Sequence, residues 1–314
     1  MDLQEPCSLI RHRIVRRCCS LKQPVFSGVA TALVTPFSGG RIDWSALDGL
    51  LERQLAAKIP ALVLAGTTGE ASTLSAEEKS ALWRHCADFV RSRAVLIAGV
   101  GTNDTAASVR LARLAADCGA DALLAVTPYY NKCTQEGLIA HYTALADATP
   151  LPLILYNVPS RTGVNLLPET ALRLSAHPRI AGLKEASGSI SQVAKVKALC
   201  GEAFHVWSGN DDQTVPMLSL GADGVISVLS NLLPEQTAAM VHAAQRGDRD
   251  EAAYLQLQLL PLIDALFSRV NPIPVKAALA RMGLCQNELR LPMTPMSDDA
   301  AREAFSGLSE WLGA

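Results

Sequence analysis

Residues 179–188, RIAGLKEASG, set the frame for the whole chain. Ile180 to Leu183 form a short apolar run of the kind a buried strand needs. The run ends at Lys184, followed by Glu185 and a string of small residues up to Gly188. An ammonium is costly to bury, so burial favours the neutral amine. A neutral amine held at a strand tip is a nucleophile toward carbonyl carbon. The plainer alternative is a lysine held by a carboxylate, with Glu185 as the nearest partner. What the rest of the chain sets beside Lys184 decides between them.

Outward from this stretch, apolar runs recur at 29–34, 61–65, 95–98, 122–126, 153–156, 204–208 and 224–228. With 180–184 they make eight predicted strands. Between them lie amphipathic segments that read as helices. Asp43 opens one, with Leu47, Leu50, Leu51 and Leu55 on a single face. Ser75 and Glu78 form a capping-box pattern at the start of the next. Further helices are expected over 105–118, 134–146, 190–199, 213–220 and 234–244, and Pro168 suits a first helical turn. Eight alternating units fit a closed (β/α)₈ TIM barrel better than an open sheet. An open dinucleotide-binding sheet would need GxGxxG after its first strand, and Gly99-Val100-Gly101 lacks the third glycine. Beyond residue 245 the pattern is helical only, over 254–269, 274–282 and 300–312. The expected organisation is therefore an N-terminal extension (1–25), a catalytic barrel (26–245) and a C-terminal helical region (246–314).

Composition bounds the functions open to such a chain. Of 314 residues, 49% are hydrophobic and 18% charged, the latter below the roughly 25% of ordinary soluble domains. A large core together with subunit interfaces accounts for that deficit. A net charge of -2 gives no reason to expect nucleic acid or an acidic membrane as partner, and no apolar run is long enough to span a bilayer. The eight cysteines are scattered without metal-ligand spacing and read as reduced thiols of a cytosolic protein. The six histidines show no HExxH-type pattern, so no metal site is expected. Within the first 25 residues Arg11, Arg13, Arg16 and Arg17 suggest a transit peptide, but Asp2, Glu5 and the scarcity of serine argue against one. The preferred reading is a disordered start without a role.

Active sites of such barrels gather at the C-terminal ends of the strands. Gly66-Thr67-Thr68-Gly69-Glu70 follows the second strand, with two glycines to turn N–H groups inward and two hydroxyls able to hold a carboxylate. Tyr129 and Tyr130 follow the fourth; at least one of them reads as a packing aromatic. The fifth ends at Tyr156, a phenol able to shuttle protons, and its loop carries Arg161, able to clamp a carboxylate bidentately. The seventh ends at Ser208-Gly209-Asn210-Asp211-Asp212, and the eighth offers the small apolar set from Gly224 through Ile226 to Val228. Each alone has a bland reading as turn, packing residue or surface ion pair. Together they describe a site for a small α-keto acid. Its carbonyl would go to Lys184 and its carboxylate to the Thr67-Thr68 turn, with no metal or cofactor needed, because the lysine imine itself draws electrons.

The motifs GTTGEAS, TPYYN, YNVPSRTG, GLKEASG, SGND, GVISV and NPIPVK resemble, in order and spacing, those of the dihydrodipicolinate synthases, within the N-acetylneuraminate lyase superfamily of class I aldolases. The resemblance runs from about Phe26 to the C-terminus. Thr67-Thr68 with Tyr156 and Ser160-Arg161-Thr162-Gly163 points to the synthase branch. It implies that Lys184 forms a Schiff base with pyruvate and that Tyr156 relays protons at the imine and at the aldehyde oxygen. It implies a relay completed by Thr68 and by Tyr130, the latter donated across a subunit interface. Thr67 and Thr68 would hold the pyruvate carboxylate, Arg161 would receive the carboxylate of L-aspartate 4-semialdehyde, and Gly209 and Ile226 would shape the pocket. The product would be 4-hydroxy-tetrahydrodipicolinate, on the way to diaminopimelate and lysine, and the assembly a homotetramer in the cytoplasm.

The chain departs from the lysine-inhibited members of that family. Where they carry a histidine and a glutamate at the effector site, this sequence has Lys79 and Ala107, while Tyr129 and Asn103 remain. Weak or absent inhibition by lysine is expected. Asn210 stands where many members have an acid, with little consequence expected. Two rival readings stay open: a related pyruvate-dependent aldolase acting on 2-keto-3-deoxygluconate, a neuraminate or 4-hydroxy-2-oxoglutarate, and a catalytically silent small-molecule sensor.

Overall fold

The computed structural model describes residues 22–312. Eight parallel strands close into a barrel: β1 (Gly28–Ala32), β2 (Ala61–Leu64), β3 (Val95–Gly99), β4 (Ala122–Val126), β5 (Leu153–Asn157), β6 (Ile180–Glu185), β7 (His205–Ser208) and β8 (Gly224–Ser227). Each pairs with its neighbours in sequence, and β8 closes on β1 through Gly28↔Gly224 to Thr31↔Ser227. A side chain at Gly224 would meet the Gly28 carbonyl oxygen at 1.8 Å, so the closure needs glycine there. Helices α1 (Trp44–Ala56), α2 (Ala76–Val90), α3 (Thr105–Asp117), α4 (Gln135–Asp147), α5 (Pro168–Ser175), α6 (Ile190–Cys200), α7 (Thr214–Ser219) and α8 (Pro234–Gln245) fill the intervals. They start where the sequence signals them. Asp43 accepts from Ala46 N–H at the head of α1, and Ser75 and Glu78 cap α2 reciprocally.

Strand alternation sorts the apolar residues into two layers. Leu155, Leu183 and Val206 face the helices in a large outer core; Ile154, Tyr156, Ala186, Trp207 and Ile226 fill the barrel interior. Trp207 floors that interior, stacked on Phe26 at 5.0 Å and donating its indole N–H to the Phe26 carbonyl.

Four features differ from the sequence reading. A two-stranded hairpin, Phe37–Ser38 with Arg41–Ile42, precedes α1. A single helical turn, Pro159–Thr162, sits in the loop after β5. The first C-terminal helix, α9 (Arg249–Phe267), begins five residues before the expected 254, capped by Asp248. It is followed by α10 (Ile273–Arg281), and the last expected helix divides into α11 (Asp298–Ala304) and α12 (Ser309–Leu312) at Gly307, whose φ is 74°. The outer core runs without a break from the barrel helices into Leu259, Leu262, Ile263 and Val275. The boundary at 245/246 therefore divides the chain but not its core.

Of the extension drawn over 1–25, residues 1–21 lie outside the described residues. Lys22 is anchored at the N-terminal end of the barrel, its ammonium donating to the carbonyls of Ser175, His177 and Ile180. Among the described residues no helix is long and apolar enough to cross a membrane.

Candidate active site

Register puts the phenol beside the amine. On adjacent strands β5 and β6, Tyr156 pairs with Lys184, and Lys184 in turn pairs with Trp207 of β7. Lys184 shares its strand face with Gly182, where an added Cβ would strike the Trp207 ring, so both point into the barrel. Lys184 is 6% exposed, and its Nζ lies 4.2 Å from the centroid of the Tyr156 ring. Glu185 points the other way. Its carboxylate accepts from Asn157 Nδ2, Ser187 N–H and Gln192 Nε2. The pairing that would have made Lys184 a structural cation is therefore absent.

Burial lowers the Lys184 pKa from 10.5 to about 7; Asp211 opposes the shift and the Arg161 guanidinium adds to it. Asp211 is itself buried, with one carboxylate oxygen accepting the Val228 and Leu229 N–H groups. Half of the amine is then neutral near pH 7. The initial rate of imine formation with pyruvate, trapped by borohydride, is expected to rise with pH through a single transition near 7 and then level off. A rise continuing past pH 9 would mean an unperturbed lysine. Burial raises the Tyr156 phenol pKa, opposed by Arg161 and by the Thr67 hydroxyl, so the phenol stays protonated and can donate.

The turn after β2 starts and ends in left-handed backbone at Ala65 (φ 51°) and Glu70 (φ 54°). Such conformations in non-glycine residues collect where a site fixes them. The two threonines divide their work otherwise than expected. Thr67 is the hydroxyl beside Tyr156, whereas Thr68 Oγ1 accepts from Asn271 Nδ2 at 2.9 Å. The hydroxyl that meets the Tyr156 phenol is thus that of Thr67, while that of Thr68, expected in the relay, is bonded to Asn271; successive residues of a turn face different directions, and the motif does not tell which faces the phenol. Thr68 keeps a carboxylate-binding geometry, because an amide N–H can only donate, leaving the Thr68 hydroxyl hydrogen free for an incoming oxygen.

A cavity of about 160 Å³ brings together Lys184, Tyr156, Thr67, Thr68, Arg161 and Gly209. At Gly209 a Cβ would lie 2.7 Å from Ala186 Cβ and 3.0 Å from Lys184 Cε, so glycine there leaves the lysine room. Ile226 is not in the wall. Its side chain is fully buried in the interior layer, and Val228, two residues on, lines the cavity. Tyr130 is 89% exposed, left-handed at φ 72°, and outside the cavity of its own chain. Asn271, from the link between α9 and α10, lines the cavity and was not expected; only its place in NPIPVK marks it in the sequence.

Tyr156, Thr67, Arg161 and Asn271 also border a second, adjoining cavity of about 460 Å³ that takes in Lys79 and Tyr129. Lys79 is buried, its pKa lowered by desolvation, and among the described residues no carboxylate pairs with it. Ala107 lies in the first turn of α3, its N–H taken by Asp104.

A model of the dihydrodipicolinate synthetase family matches residues 25–310. The 4-hydroxy-tetrahydrodipicolinate synthase of an Exiguobacterium species is 50% identical over 288 residues, covering 91% of this chain and 98% of that one. Among solved structures, the dihydrodipicolinate synthase of Thermotoga maritima superposes with a TM-score of 0.89 at 42% identity, over 92% of this chain and 99% of the other. The chloride-inhibited dihydrodipicolinate synthase of Acinetobacter baumannii, solved with pyruvate, gives the same TM-score, identity and coverage.

Proposed function

The chain belongs to the dihydrodipicolinate synthetase family, and on that premise we propose that it condenses pyruvate with L-aspartate 4-semialdehyde to give 4-hydroxy-tetrahydrodipicolinate. The observation that carries this is the buried amine of Lys184, its pKa near 7, in register with Tyr156 and in one cavity with two threonines and an arginine. Lys184 Nζ attacks the pyruvate keto carbon, and water leaves as the iminium forms. The pyruvate carboxylate is held at Thr67 and Thr68. The cation draws electrons from the adjacent methyl group, which loses a proton to give the enamine. The enamine carbon attacks the aldehyde carbon while Tyr156 protonates the aldehyde oxygen. The substrate's amino group then attacks the iminium carbon and expels Lys184, a proton passing from the incoming nitrogen to the leaving one. One water is lost overall, and no cofactor is called for. Arg161, at the cavity wall, is the seat for the carboxylate of the aldehyde.

The test is turnover of pyruvate with L-aspartate 4-semialdehyde, run beside 2-keto-3-deoxygluconate, a neuraminate and 4-hydroxy-2-oxoglutarate. Preferred cleavage of a sugar acid would overturn the assignment. Arg161→Ala is expected to lower kcat/KM for the aldehyde by about 10²–10³-fold while pyruvate imine yield holds, since an unpaired charge is left in the complex.

We further propose a homotetramer in the cytoplasm. The exposed Tyr130, held in left-handed backbone, suits donation to a neighbouring site, and free thiols at Cys86, Cys118, Cys133, Cys200 and Cys285 suit a reducing compartment. The cation of Lys79 would repel the ammonium of lysine, and Ala107 offers it no carboxylate. Lysine is therefore expected not to inhibit at sub-millimolar concentration, which a rate titration checks.

A further inference from the structure

The larger of the two cavities, about 460 Å³, has no part in the reaction described above: neither Lys184 nor Thr68 lines it. Lys79 lines it and does not reach the smaller one. Lys79 stands near the start of α2 and is 8% exposed. Its Nζ meets no acceptor and no carboxylate among the described residues, yet it is not sealed from solvent, so it opens on the cavity. A buried cation without a counter-charge is costly, and more so near the positive end of a helix dipole. Desolvation accordingly lowers its pKa. What Lys79 lacks is an anion.

A second cation borders the same space. Arg161, from the helical turn after β5, makes one long hydrogen bond there, 3.4 Å to the Asn271 carbonyl. The one carboxylate in the wall, that of Glu70, is already taken by Lys276 and by the Arg290 N–H. Two cations around one space, with no carboxylate free to meet them, describe a receptor for two acid groups. We propose that this cavity binds a small dicarboxylate, one carboxylate on Lys79 and the other on Arg161, and that its occupant slows the enzyme by drawing Arg161 away from the carboxylate of the aldehyde. The effect on turnover rests on the reaction proposed above; the binding does not.

The test uses glutarate as probe and glutaramate, which has a single carboxylate, as control. Calorimetry with wild type is expected to show one glutarate site per chain and far weaker binding of glutaramate. The site should persist in enzyme whose Lys184 has been converted by borohydride to the reduced pyruvate adduct, since that adduct fills only the smaller cavity. Lys79→Met should weaken glutarate about 10–100-fold, the range for hydrogen bonds to charged groups, and Lys79→Arg should keep it. In turnover, glutarate should raise KM for L-aspartate 4-semialdehyde and leave the rate of pyruvate imine formation unchanged. Lys79→Met should match wild type without glutarate and resist it when added. Absence of binding, equal binding by Lys79→Met, or loss of the site in the pyruvate adduct would overturn the proposal. Binding that leaves KM for the aldehyde unchanged would overturn the role given to Arg161. Wild type that binds glutarate in this way but does not turn over the aldehyde would overturn the assigned reaction and uphold the site.

Discussion

Lys184→Ala should yield a folded protein that gains no mass on borohydride treatment with pyruvate and turns over at least about 10³-fold more slowly than wild type. The threonine turn, Tyr156 and Arg161 would still gather both substrates. What disappears is, among the described residues, the one amine in the cavity able to make the keto carbon an electron sink, and without the iminium the pyruvate methyl group is not acidic enough to lose a proton. The variant also separates the two readings with which Lys184 began. A structural cation would leave its carboxylate unpaired when removed, with a large loss of stability. Here Glu185 is satisfied by Asn157, Ser187 and Gln192, and the amine is held against its desolvation cost. Thermal stability of Lys184→Ala should therefore match or exceed that of wild type, the usual relation between a strained active-site group and the fold. Lys184→Arg should not rescue turnover, since guanidinium does not deprotonate in this range. An adduct still trapped in Lys184→Ala would move the nucleophile elsewhere.

The barrel was legible because its strands are buried on both faces and so read as unbroken apolar runs. The expected run at 122–126 coincides with β4, and the other strands begin and end within two residues of expectation. Caps located the helix starts at Asp43 and Ser75, where side-chain chemistry is local. The same logic could have found α9, since Asp248 with Glu251 stands at its head, but its first residues are polar and the apolar period starts only later. The hairpin at 37–42 has two residues a side, too short for any alternation to register. Within the site, residues at a strand's tip or in the loop just beyond it were readable: Lys184, Tyr156, Thr67, Arg161 and Gly209 all reach the cavity. Placements that depend on packing were not. Ile226 and Val228 share a face of the same segment, and only their depth in the barrel separates a floor residue from a wall residue. Asn271 lies 203 residues from the Thr68 hydroxyl it bonds, and nothing local to either position announces the contact.

The same long-range packing makes Glu70 and Lys276 the most sensitive positions for stability outside the apolar core. Both side chains are fully buried and ion-paired to each other. Lys276 Nζ also donates to the Glu288 carbonyl at 2.8 Å and lies 4.1 Å from the Phe37 ring centroid, while Glu70 accepts the Arg290 N–H at 3.0 Å. Every strong valence of the pair is met, so it persists despite its desolvation cost. Removing one member leaves the other charged and buried. Lys276→Met and Glu70→Gln are each expected to lower the unfolding free energy by about 3–5 kcal/mol in urea titration. The double variant should recover much of that loss, because a neutral amide at position 70 can still accept from Arg290 and a thioether suits the face of Phe37. Strictly additive losses would mean that the two side chains contribute separately. The consequence reaches the chemistry through the chain itself. Glu70 closes the turn that carries Thr67 and Thr68, and Lys276 follows Asn271 by five residues, so one ion pair fastens the C-terminal helices to the carboxylate seat at the barrel mouth. At denaturant concentrations where the single variants remain folded, KM for pyruvate should therefore rise while the borohydride adduct still forms at Lys184. An unchanged KM would show that the seat holds its shape without this clamp.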